Sequence, residues 1–484
     1  HGAVNSLALA RGTNSAGEQI GISQLTLASD FKDYRDTIGV DVEGEPNGEI
    51  HETARLLVQP PAWGSIAGPS PEVMPLIARE LAQNGLTSIQ DAAMPLTALP
   101  AYKALVDAGN MSFRLSAAIF QDVPHYSAED GTVNVDAMVA KLETAREQFR
   151  KVPYIQVETA KIFVDGVIEG NPLNNPPTLP NAAMLNNYQQ PVFDIDLEKE
   201  TVQIRSYVEL HSEVCQQVRL APDIFLEPAA VETFIESNGY HPGQCRISRG
   251  VLENPAPFIK SYMRALDEAG FNIHAHVIGD RAVRTALDGF DFSRQENGPT
   301  KARHSLGHIQ VVAPEDYARI GKHRLYLVFT YAWIAPEFFY DLTVNPFVER
   351  LDGIEDLYSE DNYYMRNAYP AAQLEAGGAI LAGGSDAPVD TRDPRPFFNI
   401  QQAVTRANED GMVLNAANRV DIQTALDAYT INGARMFGHD AVTGSLEVGK
   451  LADLVVVDRD LIKLAETGRA NEIVETQVLQ TLFE

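Results

Sequence analysis

A chain of 484 residues with 45% hydrophobic and 21% charged residues has an ordinary globular composition, and no run approaches the roughly 18 to 20 consecutive apolar residues of a membrane span. Its 38 basic and 66 acidic residues leave a net charge of −28, which argues against a nucleic-acid partner because the phosphates would be repelled. The length suits one β/α barrel of about 250 residues with an insertion and appended strands.

Residues 1 to about 70, with Pro60, Pro61 and Pro69 near their end, precede the regular part of the chain. His51, in HETAR, lacks the second histidine of HExxH and reads as a surface residue at a helix start. From residue 71 strand-like and helix-like segments alternate. PEVMPLIARELAQNG is helix-like and leads into the apolar run GLTSIQDA (85–92); FRLSAAIF (113–120) follows. VDAMVAKLETAREQFRK, again helix-like, precedes AKIFVDG, which holds Lys161.

A Pro- and Asn-rich stretch, EGNPLNNPPTLPN, opens an interruption at about 170–255. Its length suits a lid or substrate-selecting element. Both cysteines, Cys215 and Cys245, fall in it; they lack CxxC spacing, so a zinc-thiolate site is not expected. Two readings stay open: a bridge, which would favour an oxidising compartment, or two separate thiols.

Three more strand-like runs follow the interruption, each with a candidate side chain: NIHAHVIGD with His274 and His276, RHSLGHIQV with His304 and His308, and RLYLVFTYAWI (324–334) with Tyr331 and Trp333. Asp280 is placed as the N-cap of the helix GDRAVRTALDGF. GAILAGGSDAP, holding Asp386, is the seventh run. After the helix DIQTALDAYTINGARMFG, the segment TGSLEVGKLADLVVVDRD has turn glycines and a Val-rich strand.

Parallel strands in such a repeat place their carboxyl ends on one face, so Lys161, His276, His308 and Asp386 are expected to converge. Each alone has an ordinary explanation: Lys161 needs only a carboxylate such as Asp165, a histidine in an apolar run can be a satisfied core residue, and SDAP is also turn chemistry. Four together, in one order at strand ends, point to a metal site. Imidazole and carboxylate suit zinc and related divalent metals, here one or two ions, and a metal that makes its water acidic points to hydrolysis. His276 lies nearer the strand end than His274 and is preferred as ligand; His308 is preferred over His304 on the same ground. Trp333 and His304 are then candidates to face a substrate. GxSxG, GxGxxG and P-loop patterns are absent, which removes serine-hydrolase and nucleotide-binding readings.

The motifs resemble the amidohydrolase superfamily, and within it the YtcJ-like, formamide-deformylase-like branch. HGAVNSLALA, GEPNGEIHETA, GLTSIQDA, KIFVDG, HVIGDRAV, RHSLGHIQ, LAGGSDAPVDTRDP, AVTR and TGSLEVGKLADLVVVDRD carry the likeness, in order, over nearly the whole chain. The resemblance implies a (β/α)8 TIM-like barrel beside a small β-sandwich. It also implies a His-x-His pair on the first barrel strand, a lysine carboxylated to a metal-bridging carbamate on the fourth, histidines on the fifth and sixth, and an aspartate on the eighth. Lys161, His276, His308 and Asp386 then fall on strands four, five, six and eight, with Asp386 as ligand and catalytic proton shuttle.

No His-x-His pair precedes GLTSIQDA, and Gly307 stands where the branch has glutamate. The chain opens on His1 inside the family pattern and stops at TLFE, so a fragment is expected. Residues 1–70 would be part of an insertion after the first strand, from which His1 could reach the pocket. Residues 71–437 would form the barrel with its lid-like insertion, and 438–484 the return to the sandwich. The implied activity is metal-dependent hydrolysis of a carbon–nitrogen bond, amide, N-acyl or N-formyl, in a small-molecule substrate. A metal-dependent esterase or lactonase and a non-catalytic binding or regulatory member are the alternatives. A homodimer is the expected assembly, and cytoplasmic and periplasmic locations both fit.

Overall fold

The computed structural model describes residues 2–14, 16–41, 44–58, 72–128, 130–174, 176–196, 199, 201–221, 228–389 and 391–484. His1, Pro60, Pro61, Pro69 and the expected boundary at 70 lie outside the described residues. The chain divides into two compact units. One gathers His1–Ile66, Gly166–Val251 and Glu337–Arg366; the other gathers Ala67–Asp165, Leu252–Pro336 and Asn367–Glu484.

In chain order the strands are β1 (Gly2–Ala3), β2 (Ile38–Val40), β3 (Pro46–Ile50), β4 (Ser88–Met94), β5 (Arg114–Phe120), β6 (Ile155–Phe163) and β7 (Pro191–Asp196). They continue as β8 (Thr201–Tyr207), β9 (Asn272–Val277), β10 (Ser305–His308), β11 (Tyr326–Phe329), β12 (Ile380–Gly383), β13 (Leu454–Val457) and β14 (Val478–Leu482).

The second unit holds a seven-stranded sheet in the order β12-β11-β10-β9-β6-β5-β4, parallel throughout. All seven expected runs contribute a strand. Helices such as Leu99–Asp107, Val135–Phe149 and Asp280–Asn297 return the chain between successive strands, which is what parallel pairing demands. β5 shows why these runs read as continuously apolar: six of its seven residues are buried, as in a strand covered on both faces. The sheet curls into a half-barrel, and among the described residues no eighth strand joins β4 to β12.

Two local expectations are corrected. The run 324–334 is not one strand: β11 ends at Phe329, and Tyr331–Trp333 form a 3-10 turn. Asp280 is not an N-cap; Gly279 occupies that position in extended backbone, and Asp280 is the first helical residue, buried. Helix Asp280–Asn297 packs on helix Ala256–Glu268 closely enough that a Cβ at Gly289 would come within 2.3 Å of the Met263 sulfur.

At the end of this unit β13 and β14 form an antiparallel pair. Arg114, at the start of β5, ion-pairs with Asp453 and lies 4.7 Å from the centre of the Phe483 ring. The Thr481 hydroxyl donates to the carbonyl of Ala82 at 2.6 Å. These ties fasten the tail to the sheet's own unit.

In the first unit β1, β3 and β2 form an antiparallel sheet packed over Leu9, Ile22, Phe31 and Leu57. β7 and β8 make a hairpin. Cys215 and Cys245 are bridged, with sulfurs 2.06 Å apart, inside an apolar cluster with Val192, Val208 and Val218. His51 departs from its expected surface position. It is 4% exposed, its Nε2 lies 2.8 Å from Oε1 of Glu49, and its backbone N–H donates to Thr37. The carboxylate two residues earlier on β3 lets the ring be buried. No helix among the described residues is long and apolar enough to cross a membrane.

Candidate active site

Strand register builds the site in layers. β6 pairs with β9 so that Lys161 stands opposite His274 and Phe163 opposite His276; β9 pairs with β10 so that His274 meets Ser305 and His276 meets Gly307. Side chains two apart share a face, so Lys161, His274 and Ser305 form one layer and Phe163, His276 and Gly307 the next, towards the carboxyl ends. Contacts agree with this. Lys161 Nζ lies 4.7 Å from the centre of the Phe163 ring, and the Phe163 and His276 rings are 5.2 Å apart. His274 Nδ1 lies 2.8 Å from Ser305 Oγ. A Cβ at position 307 would approach His274 Nε2 to 3.1 Å, so the glycine gives that imidazole room.

His308 reaches the site by another route. It pairs with Val277, one residue out of step with the inward layers, and regular alternation would turn its side chain away. Instead His308 and Ile309 adopt left-handed backbone, with φ of 70° and 51°. Such residues cost on the order of 1–3 kcal/mol each and persist where surrounding contacts hold them. The contacts here are an edge-on approach to His276 with centroids 4.9 Å apart, a stack on Trp333 at 5.0 Å, and Nδ1 at 3.1 Å from Thr330 Oγ1.

Asp386 lies three residues beyond β12, also in left-handed backbone at φ 53°, a conformation aspartate tolerates better than most residues. Burial raises its carboxyl pKa, against the opposing pull of Lys161 and His276. Burial likewise lowers Lys161 to about 8, opposed by Asp386. His308 and His274 are both held well below the usual histidine range, first by burial and then by electrostatic interaction with neighbours that include Lys161. Two imidazoles and an amine, all disfavoured as cations by burial, thus lie near the half-buried carboxyl of Asp386.

Lys161, His276, His308 and Asp386 are therefore brought together, with Trp333 against His308. His304 is placed elsewhere. It precedes β10, accepts the Ile273 N–H at 3.2 Å, lies 3.2 Å from Asp267 and stacks on Phe290 at 4.9 Å. His1 lies outside the described residues. Asp165 is a site residue that sequence reasoning treated only as a partner for Lys161. Its signal was its position, four residues after Lys161 on the same strand face in KIFVDG. Thr330 carried no signal beyond its place after β11.

A family model described as the amidohydrolase family matches residues 72–483. Among curated proteins the chain is 32% identical over 200 residues to protein LONG AFTER FAR-RED 3 of Arabidopsis thaliana, covering 41% of this chain and 32% of that protein. It is 29% identical over 217 residues to N-substituted formamide deformylase of Arthrobacter pascens, covering 44% and 36%. Over the same length it is 28% identical to putative amidohydrolase YtcJ of Bacillus subtilis, covering 44% and 37%. The matched part of the chain spans about a third of the length of these relatives. An uncharacterized metal-dependent hydrolase from Pyrococcus horikoshii shares the fold, with a TM-score of 0.56 at 16% identity over 94% of this chain and 77% of that one. With a family match over most of its length and a parallel half-barrel carrying the clustered polar groups, the chain belongs to the amidohydrolase family, with YtcJ-like relatives.

Proposed function

We propose that this chain forms the catalytic part of a metal-dependent hydrolase that cleaves a carbon–nitrogen bond, amide, N-acyl or N-formyl, in a small molecule. The observation that carries the reading is the gathering of buried Lys161, His276 and His308 with half-buried Asp386 at the carboxyl ends of one parallel sheet.

The donor chemistry fits a divalent ion such as zinc, which takes neutral imidazole nitrogen and carboxylate oxygen. His276, His308, Lys161 and Asp386 would hold it. Among the described residues no three His, Cys, Asp or Glu side chains are arranged to hold a metal ion, and a carbamate on Lys161 would supply further oxygen donors. When bound, such an ion polarises a carbonyl and makes water acidic enough to ionise near neutral pH.

The remaining steps belong to the chain's own residues. With its pKa lowered to about 8 by burial, Lys161 has a neutral amine available to add carbon dioxide. A nitrogen–carbon bond forms, one proton leaves the nitrogen, and the neutral amine becomes an anionic carbamate. Asp386 takes the proton of the attacking water and delivers it to the leaving nitrogen as the carbon–nitrogen bond breaks, releasing an acid and an amine. The raised Asp386 carboxyl suits a group that must both accept and return a proton. Trp333, flat against His308, offers an apolar wall to the substrate.

N-formyl amines are the first substrates to try, because one relative is named a formamide deformylase. The test pairs N-formyl amines with the matching formate esters, before and after chelation. Amide cleavage that chelation removes and zinc restores supports the proposal. Ester cleavage alone favours the esterase reading, and binding of both without turnover favours a non-catalytic member.

A further inference from the structure

Arg406 closes the AVTR segment and is fully buried, at the left-handed end of helix Pro396–Thr405. Its guanidinium donates to main-chain carbonyls of irregular chain. Nε reaches Leu414 at 2.7 Å, Nη1 reaches Tyr369 at 3.0 Å and Asn418 at 3.3 Å, and Nη2 reaches Ala368 at 3.2 Å. A buried carbonyl outside a helix or sheet needs such a donor, and the planar fork of arginine serves several at once. Taken alone, this is the work of a residue that ties loops together.

What the arginine holds gives it a further role. Ala368 bridges Val311 in antiparallel fashion, and the Tyr369 N–H donates to the Gln310 carbonyl at 2.8 Å. The N–H groups of Ile309 and Val311 donate to the carbonyls of Val277 and Ile278 at 3.0 and 2.9 Å. The chain that turns His308 into the site is thus held between the end of β9 and the Ala368–Tyr369 segment. Left-handed residues lie on both sides of this last contact, His308 and Ile309 on one and Tyr369, at φ 48°, on the other. Such residues persist where their surroundings over-determine them. The same helix also serves the ring stacked on His308. Fully buried Asn399 accepts the Ala332 N–H at 2.9 Å through Oδ1 and donates to the Arg395 carbonyl at 3.0 Å through Nδ2, which fixes the turn carrying Trp333.

We infer that Arg406 is a positioning residue for His308: through the Ala368–Tyr369 segment its guanidinium holds the left-handed turn that aims the imidazole into the site and onto Trp333. Lysine in its place keeps the charge and loses the fork, so the segment is freed to shift without the chain unfolding. The inference rests on the proposed function only for its effect on turnover.

The test compares wild type with Arg406→Lys in the 484-residue chain. Hydrogen exchange read by mass spectrometry is expected to quicken by about 10-fold in peptides covering 308–311 and 368–371, the scale of one lost hydrogen bond, and to stay unchanged in helix Asp280–Asn297. In a chain with ring-labelled histidine, the His308 signals are identified by their loss in His308→Gln. Its ring protons are expected upfield in wild type, against the Trp333 face, and should lose that shift in Arg406→Lys, while those of His304 stay. Turnover of an N-formyl amine is expected to fall about 10- to 100-fold, the scale of a small misplacement. An Arg406→Lys chain that melts earlier but keeps the wild-type His308 shift and exchange pattern overturns the inference, since Arg406 would then only tie loops together. If that variant does not fold, Asn415→Gly decides. It removes another donor to the Ala368 carbonyl, 3.0 Å away, and glycine accepts the left-handed backbone of that position. A smaller change in the same His308 signals supports the inference, and unchanged signals overturn it. If wild type cleaves no N-formyl amine, the proposed function fails, while the His308 signals still decide the role of Arg406.

Discussion

His308 and Trp333 stack almost face to face, their ring centroids 5.0 Å apart and their planes 9° from parallel, while Thr330 holds the same imidazole at Nδ1. The stack and the hydroxyl together oppose the return of His308 to regular strand geometry, in which its ring would leave the site. Trp333→Ala is expected to lower kcat/KM by roughly 5-fold, consistent with about 1 kcal/mol for an aromatic stack. Steady-state kinetics of the variant, with thermal melting as control, would check it. Unchanged kinetics would mean that Trp333 only fills the rim.

Asp386→Asn keeps the side chain's shape and removes the base. On the proposed mechanism kcat should fall by about 10² or more, the usual scale for loss of general acid–base help. Near-normal turnover with intact metal content would remove Asp386 from the proton path.

Lys161→Ala should lose metal and activity together, measured by elemental analysis and by the amide assay. Added short carboxylates should restore part of both, because they replace the oxygen donors of a carbamate. A variant that still holds its metal tightly would make Lys161 a structural residue.

The Cys215–Cys245 bridge closes 30 residues of chain. Replacing both cysteines with serine should destabilise the first unit by roughly 3–4 kcal/mol in the chain-entropy model. Denaturant titration in the presence and absence of reductant would measure the loss. A wild-type chain whose stability ignores reductant would count against the bridge.

A pH effect on stability is expected away from the site. Burial pushes Asp267 upward, but hydrogen bonds from His304, Asn297 and Thr300 outweigh it and hold the carboxyl at about 2, below the ordinary 3.8. A folded-state pKa below the unfolded one stabilises fully above the unfolded value, and that stability is lost as pH falls from 3.8 towards about 2. The contribution is about 2 kcal/mol. Urea titrations from pH 2 to 6 should show the difference between wild type and Asp267→Asn shrinking through this window. A constant difference would mean that the His304 contact does not control the carboxyl.

Much of the architecture was legible in local pattern. Seven apolar runs separated by helix-like segments specify a parallel sheet traversed in chain order, because a parallel pair needs a crossover and a helix supplies it. The same pattern puts Lys161, His276, His308 and Asp386 at one end of that sheet, since the direction of every strand follows from its neighbours. What tertiary structure alone decided are the partners and the aim of side chains. His308 enters the site through left-handed backbone at two non-glycine residues, which no periodicity announces and which its contacts with His276, Trp333 and Thr330 help to sustain. His304, four residues earlier, goes instead to Asp267, and Asp165, just beyond the strand of Lys161, meets His276 and accepts the N–H of Ile278, 113 residues on. His51 is buried because Glu49 meets it, and Cys215 is bridged because the fold brings Cys245 beside it. Strand period is a property of adjacent residues and can be read from them; a hydrogen-bond partner far along the chain is chosen only when packing has closed the distance.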